Sequence, residues 1–364
     1  MASSVDILFV IPTLQRGGAE RVISLLTNEL NKDCSVLTIC LDARGAAYSV
    51  GGKLIDLQVG AGDGFIPKII NVFLRSAKIR RIIKRYKPRK VVSFMEAASF
   101  PCVIAAYLCQ MEKLVTVSVR INPAHLPIGR RILMAVLYRI ANKIVGVSSG
   151  VCEYMIGKLK VPSNKCEFIP NPINFHLIDM KSKEPLPISN VGGRSFILGV
   201  GRLVPQKGFD ILIRCFRAIY ENYDVDLVIL GEGPGRIELT KMIDHYRLNG
   251  RVHLMGDISN PWKWMRNCRI FILSSRYEGW PNALSEAMAL GVPCIATDCE
   301  TGPREIVGDT DGALLVPVGD EEALVNRVSY LLERRDEASR IGDCARRRMR
   351  DFSVSSIARK WMEE

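Results

Sequence analysis

No stretch of this 364-residue chain approaches the roughly eighteen uncharged apolar residues that a membrane-spanning helix requires. The best run, residues 91–111, is broken by Glu96 and Pro101, so the chain is not expected to cross a bilayer. A secretory leader is not expected either: Asp6 interrupts the first apolar run and Gln15-Arg16 follows it, the pattern of a buried strand. The expected location is cytoplasmic. Eleven cysteines, an odd number, form no C-x-x-C and no paired Cys/His spacing, which excludes a disulfide scaffold. They read as reduced core thiols, and no structural metal is expected. Proline is sparse at 18 residues, and with 48 % hydrophobic and 24 % charged residues the composition excludes disorder, collagen and a coiled coil. There is no G-x-G-x-x-G and no Walker lysine, so a dinucleotide-binding or P-loop reading fails.

What is present divides in two. The length favours two domains of similar size, and the net charge of +12 is carried by one of them. Residues 1–175 hold 24 Lys/Arg against 11 Asp/Glu, whereas residues 176–364 hold 26 against 27. A basic half joined to a neutral half points to an anionic partner for the first: nucleic acid, a membrane surface or a phosphorylated substrate.

Apolar, β-branched runs alternate with segments of helical period, the pattern of an α/β protein with parallel sheets. Strands are expected at 5–11, 35–41, 53–57, 90–94, 114–119, 143–147 and 166–169, and again at 196–201, 226–230, 252–255, 270–273, 294–296 and 313–316. Two doubly wound, Rossmann-like domains result, 1–172 and 195–364, with 173–194 as a Pro/Gly-rich linker. Open parallel sheets bind ligands beyond the carboxyl ends of their strands, so two such sheets facing across a cleft direct attention to the loops there.

After the first strand comes Gly17-Gly18-Ala19-Glu20, a strand-to-helix turn where glycines admit a close ligand and helix amides favour an anion. A tight turn without a ligand explains the glycines equally well. In the second half, Gly201-Arg202 and Lys207-Gly208 follow a buried strand and set two cations five residues apart, suited to a departing diphosphate or merely solvated. The most specific segment runs from Glu278 through Gly279-Trp280-Pro281 to Asn282, Ala283, Leu284 and Glu286. Free amides of Asn282, Ala283 and Leu284 can hold phosphate while Glu278 and Glu286 accept sugar hydroxyls on either side. A lone carboxylate at Glu286 on an otherwise apolar helix needs a partner.

These segments, with Gly231-Glu232-Gly233-Pro234 and Asn171-Pro172, stand in the order used by family 4 of the glycosyltransferases, which the chain resembles from about residue 5 to about residue 350. The segment 297–306 is similar to that of the subgroup adding N-acetylgalactosamine and related hexoses to lipid-linked bacterial glycans. The resemblance implies the GT-B fold, with the last helix returning to the N-terminal domain. It also implies retaining, metal-independent transfer of a hexose or N-acetylhexosamine from a UDP-sugar, with no cofactor. The acceptor would be a lipid-linked oligosaccharide of lipopolysaccharide, O-antigen, capsule or protein glycosylation. Arg202 and Lys207 would neutralise the diphosphate, Glu286 would hold the ribose, Glu278 would contact the donor sugar, and Gly201, Gly231 and Gly233 would border the donor. The Gly17 and Gly18 amides would close over the phosphates. An oxocarbenium ion departing from an anion makes leaving-group stabilisation the principal task.

The chain departs from the family where many members carry a histidine after the fifth strand. Arg120 stands near that place and His125 five residues later, and both remain candidates. Glu96, after the fourth strand, is a possible acceptor contact or base, or a helix-capping residue. Asp224-Val225-Asp226 and Asp309-Thr310-Asp311 read as a strand entry and a turn rather than a metal site.

From Lys68 to Lys90 the sequence holds ten Lys/Arg and no acid. At helical spacing Ile69, Val72, Phe73, Ile79, Ile82, Ile83 and Tyr86 share one side, and Lys78, Arg81, Lys84 and Arg85 gather on the other. With Arg130 and Arg131 beginning a second basic helix, and Arg346-Arg347-Arg348 near the C-terminus, this face suits peripheral attachment to the anionic inner leaflet or is merely solvated. No recognition-helix or aromatic groove signature supports nucleic acid. Two further readings stand: an epimerase or phosphorylase on the same fold, and a catalytically dead basic module binding membrane or nucleic acid.

Overall fold

A computed structural model of the chain describes residues 5–60, 65–109, 115–186 and 193–363. Two compact units emerge, one of residues 1–172 with 354–364, the other of residues 173–353. The first contains β1 (Ile7–Ile11), α1 (Gly18–Leu30), β2 (Val36–Cys40), β3 (Lys53–Asp56), α2 (Phe65–Tyr86), β4 (Lys90–Phe94), α3 (Glu96–Tyr107), β5 (Val115–Val119), α4 (Ile128–Ile140), β6 (Lys143–Gly146), α5 (Ser149–Gly157) and β7 (Cys166–Phe168). The second contains α6 (Phe175–Ser182), β8 (Ser195–Val200), α7 (Phe209–Tyr220), β9 (Val225–Leu230), α8 (Arg236–His245), β10 (Val252–Leu254), α9 (Trp262–Asn267), β11 (Ile270–Leu273), α10 (Asn282–Ala289), β12 (Cys294–Thr297), α11 (Pro303–Val307), β13 (Leu314–Val316), α12 (Glu321–Glu333) and α13 (Arg335–Met349). Helix α14 (Val354–Glu363) then belongs to the first unit.

Every expected strand is found, with ends shifted by two residues at most; Leu114 of the expected fifth strand lies outside the described residues. The sheets run β3-β2-β1-β4-β5-β6-β7 and β10-β9-β8-β11-β12-β13, parallel throughout. Helices cover parallel sheets on both faces, which is why β1, β2, β5, β9 and β11 are buried along their whole length and read as unbroken apolar runs. Strand order reverses between β1 and β4 and between β8 and β11, so each unit has one crevice at the carboxyl ends of those two strands.

In the first unit, right-handed crossovers put α1 on one face of the sheet and α2, α3 and α4 on the other. Helix α14 packs on α1 with Ile357, Ala358 and Trp361 buried. Trp361 stacks on Phe94 at 5.7 Å, and the Lys90 ammonium donates to the Trp361 carbonyl at 2.7 Å. In the second unit, Phe209, Leu212, Ile213, Phe216 and Ile219 of α7 form one apolar stripe against the sheet.

Two expectations need amending. The stretch 173–194 is not a plain linker: Asn174 accepts the Leu177 amide at 3.0 Å to start α6, which packs on α9 and receives the Asn260 side-chain amide at the Lys181 carbonyl, 2.8 Å. The Pro/Gly-rich part follows that helix, and residues 187–192 lie outside those described. Helix α2 buries Ile79 and Ile83 and half-buries Val72, Ile82 and Tyr86 as expected, yet Phe73 is 65 % exposed. Arg75 is buried instead, its guanidinium donating to the Val59 carbonyl at 2.9 Å and the Gly60 carbonyl at 2.7 Å, which turns the first half of the helix outward. The Lys68 and Ile69 side chains lie outside those described.

Candidate active site

In the second unit the crevice between β8 and β11 collects the expected residues through backbone contacts first. The Gly201 amide donates to the Leu230 carbonyl at 2.9 Å, and Leu203 to the Glu232 carbonyl at 3.0 Å, pinning the loop after β8 to the loop after β9. Gly231 has φ +143°, and a Cβ there would lie 1.8 Å from the Gly201 carbonyl oxygen; a Cβ on Gly233 would lie 2.6 Å from that of Leu203. These glycines hold the Arg202 loop against its neighbour. Arg202 itself is exposed.

A short 3-10 turn, Pro205–Lys207, then delivers Lys207. Ser274 Oγ at the end of β11 donates to the Lys207 carbonyl at 2.9 Å, and Gln206 Nε2 donates to the Tyr277 carbonyl at 3.0 Å. Lys207 Nζ reaches Glu278 Oε1 at 2.5 Å, and Ser275 Oγ donates to the same oxygen at 2.7 Å. Glu278 is buried, and Oε2 accepts no hydrogen bond among the described residues. Thr301 Oγ1 donates to the Glu278 carbonyl at 2.5 Å, which fixes the backbone at that point.

The arrangement has a charge consequence. Lys207 is balanced by a buried carboxylate, so Arg202 supplies the unbalanced positive charge at this crevice, and Glu278 presents an open acceptor oxygen beside it. Glu286, buried on α10, accepts from Trp262 Nε1 at 2.9 Å, which is the partner a buried carboxylate requires. At the start of α10 the amides of Leu284 and Ser285 both return to the Pro281 carbonyl, at 3.1 and 3.3 Å. Leu284 therefore does not offer the free amide expected of it; Ala283 does, with no acceptor against its N–H among the described residues.

The first unit has its own crevice between β1 and β4. Glu20 folds back over Gly17, where a Cβ would meet its Oε2 at 2.2 Å, and Thr13 Oγ1 donates to its Oε1 at 3.0 Å. The start of α1, where Gly17 and Gly18 stand, thus already carries a carboxylate. Arg120, at the end of β5, donates to Asn171 Oδ1 and lies over the Phe94 ring, 5.4 Å from its centroid. Burial pushes its guanidinium down to about 9, against the pull of the Glu20 charge, so it is still a cation at neutral pH. Its Nε is buried without an acceptor among the described residues. His125, by contrast, is exposed on the short turn Pro123–His125. Glu96 opens α3 directly after Met95, a non-glycine residue at φ +66° and ψ 152°, a backbone strain of the kind that collects at functional sites.

Of the basic face, Arg81, Lys84, Arg85 and Arg130 are exposed. Lys78 Nζ donates to the Leu57 carbonyl at 2.8 Å, and Arg131 to the Tyr154 hydroxyl at 3.1 Å, so those two also serve packing. Near the C-terminus Arg348 is tied down, donating to the Ile306 and Glu305 carbonyls and stacking on Phe352. Asp226 is buried against Arg251 at 2.9 Å and His253 at 3.1 Å, Asp224 pairs with Arg194 at 3.1 Å, and Asp311 pairs with Arg340 at 2.8 Å.

Sequence reasoning missed Glu20, Ser275, Thr301 and Trp262. Glu20 was visible inside its glycine motif. The other three carry no local signal, because each acts on a residue from another loop or helix turn.

Two family descriptions match the chain in tandem, Glycosyltransferase Family 4 over residues 16–177 and Glycosyl transferases group 1 over residues 182–348. The chain is 28 % identical over 361 residues to the N-acetylgalactosamine-N,N'-diacetylbacillosaminyl-diphospho-undecaprenol 4-alpha-N-acetylgalactosaminyltransferase of Campylobacter jejuni, covering 96 % of each chain. A second Campylobacter jejuni protein, a GalNAc-alpha-(1->4)-GalNAc-alpha-(1->3)-diNAcBac-PP-undecaprenol alpha-1,4-N-acetyl-D-galactosaminyltransferase, is 26 % identical over 99 % of this chain and 98 % of its own. Among solved structures, Anabaena HepE in complex with UDP-glucose superposes with a TM-score of 0.83 at 18 % identity, over 99 % of this chain and 98 % of that one. This last likeness carries the fold. With family matches spanning both parallel sheets, the chain belongs to glycosyltransferase family 4 and is a glycosyltransferase of the GT-B fold.

Proposed function

We propose that the protein moves a hexose or N-acetylhexosamine, with retention at the anomeric carbon, from a UDP-sugar to a lipid-linked oligosaccharide on the inner face of the cytoplasmic membrane. The observation that carries the donor half is the Lys207–Glu278 pair with its open Oε2, next to exposed Arg202 at the β8/β11 crevice. A sugar hydroxyl donates to Oε2, while Arg202 and Lys207 take up the negative charge that grows on the leaving diphosphate. Glu286, oriented by Trp262, accepts from the ribose hydroxyls, and the Ala283 amide adds a donor for phosphate. Gly17 and Gly18 approach the phosphates through their backbone, and Arg120, Glu96 and His125 lie toward the acceptor. The acceptor class rests on the Campylobacter relatives, whose names specify diphospho-undecaprenol glycans. Among the described residues no helix is long and apolar enough to span a membrane, so attachment would be peripheral.

The test is a panel of UDP- and GDP-sugars with a synthetic polyprenyl-diphosphate glycan, reading lipid-linked product and the anomeric configuration of the new bond. Free sugar phosphate, or interconversion of donors without acceptor, would point to a phosphorylase or an epimerase instead. In the same assay Trp262→Phe keeps the ring and removes the donor to Glu286. It is expected to weaken UDP-sugar affinity about tenfold, the worth of one hydrogen bond to a charged group. Titration calorimetry checks this, and unchanged affinity would remove Glu286 from the donor site. Arg120→Lys keeps the charge but loses the planar fork that reaches Asn171 and covers Phe94. Its transfer rate is expected to fall about tenfold or more with donor affinity unchanged; wild-type turnover would leave Arg120 with a packing role only.

A further inference from the structure

A helix that covers one side of a sheet needs one apolar stripe, and α4 has two. Met134, Leu137 and Tyr138 face inward and are buried. On the opposite side Ile128, Ile132, Val136 and Ile140, each four residues from the last, are 65, 60, 57 and 44 % exposed. Helix α3 packs against α4 and ends in exposed Tyr107 and Leu108; α2 packs against α3 and turns Ile70, Phe73 and Leu74 outward. Three adjacent helices thus present one apolar surface, larger than the scattered exposed side chains of an ordinary soluble domain.

The charges around that surface say what covers it. Neither α2 nor α4 contains an acidic residue, and α3 contains only Glu96, at its first position. The outward side of α2 continues from its apolar half into Lys78, Arg81, Lys84 and Arg85, and Arg130 stands beside the α4 stripe. A second copy docked symmetrically here would set these cations against one another with no acid on α2 or α4 to answer them. A lipid surface answers both features at once: acyl chains take the aliphatic stripe and anionic headgroups take the flanking cations.

We propose that α4 lies in the headgroup–acyl boundary of an anionic bilayer, inserting Ile128, Ile132, Val136 and Ile140, with the cationic half of α2 resting on the headgroups. This deepens the reading of a membrane-borne acceptor and locates the contact mainly on an apolar stripe rather than on charge alone. Because α2 and α4 both begin at the carboxyl ends of their preceding strands, the surface borders the end of the sheet that carries Glu96, Arg120 and His125.

Flotation with phosphatidylcholine vesicles, with and without phosphatidylglycerol, tests it. Wild-type protein is expected to float with the anionic vesicles and to remain partly bound at high salt, where purely electrostatic attachment is screened. The double variant Ile132→Ser/Val136→Ser should bind about tenfold more weakly or worse, the loss of two half-buried aliphatic contacts. Its hydrolysis of soluble UDP-sugar should match wild type, which shows that it is folded. Arg81→Glu/Lys84→Glu/Arg85→Glu should reduce flotation with anionic vesicles and leave residual binding to neutral ones. Double-variant flotation equal to wild type overturns the proposal. So does a wild-type dimer in sedimentation that the double variant abolishes while vesicles bind neither. If no UDP-sugar is turned over yet the double variant still loses the vesicles, the surface stands and the donor assignment falls.

Discussion

Replacing Lys207 by alanine is expected to lower sugar transfer about 100-fold or more, because the group lost is one whose work increases as charge builds on the leaving diphosphate. The same change strips the buried Glu278 carboxylate of its cation and leaves it only the Ser275 hydroxyl, 2.7 Å away. A buried charge without its partner destabilises by about 1–3 kcal/mol, so a lower Tm accompanies the lost rate. The two effects are separable. Lys207→Ala combined with Glu278→Gln removes the stranded charge and is expected to restore most of the Tm without restoring transfer. Steady-state kinetics and thermal melts of both variants check this. Near-normal kcat/KM in Lys207→Ala would remove the lysine from the site, and an unchanged Tm would mean that the pair is not formed in solution.

Gly231→Ala is expected to be the most damaging small substitution in the second unit. The residue sits at φ +143°, where a side chain is strained, and its Cβ would fall 1.8 Å from the Gly201 carbonyl oxygen. Relief requires the loops after β8 and β9 to part. That breaks the Leu203–Glu232 backbone contact and moves Arg202, at a cost of about 3 kcal/mol or more. Denaturant unfolding should show the loss, and UDP-sugar stabilisation of the remaining folded protein should disappear with it. The control is Gly129→Ala in α4, where a Cβ meets nothing within 4 Å. There alanine is the better helix former, and stability should hold or rise by up to about 1 kcal/mol. Wild-type melting and nucleotide response in Gly231→Ala would mean that the tight approach of the two loops is not needed.

The architecture was largely readable beforehand. Strands buried on both faces must be continuously apolar, so all thirteen could be placed to within two residues, and a parallel sheet then directs ligands to the loops that follow them. The glycines at 201, 231 and 233, the cations at 202 and 207, and the carboxylates at 278 and 286 could be picked out because short spacing survives in the linear pattern. Their partners could not. Lys207 meets Glu278 across 71 residues, Arg120 meets Asn171 across 51, and Trp262 meets Glu286 across 24. Each pairing depends on strand order and loop closure, of which local periodicity carries no trace.

Helix faces divide the same way. An apolar residue at helical spacing identifies a stripe, but only the packed sheet decides which stripe turns inward. Arg75 reaching the Val59 and Gly60 carbonyls rotates Phe73 out into solvent, and α4, apolar on two sides, buries Met134, Leu137 and Tyr138 while leaving the Ile128-to-Ile140 stripe uncovered. Composition and spacing thus set the kind of protein and the loops that matter, since those follow from what each segment must bury. Charge pairing, amide availability at α10 and the exposed stripe were settled by the folded chain alone, because they follow from what happens to lie opposite.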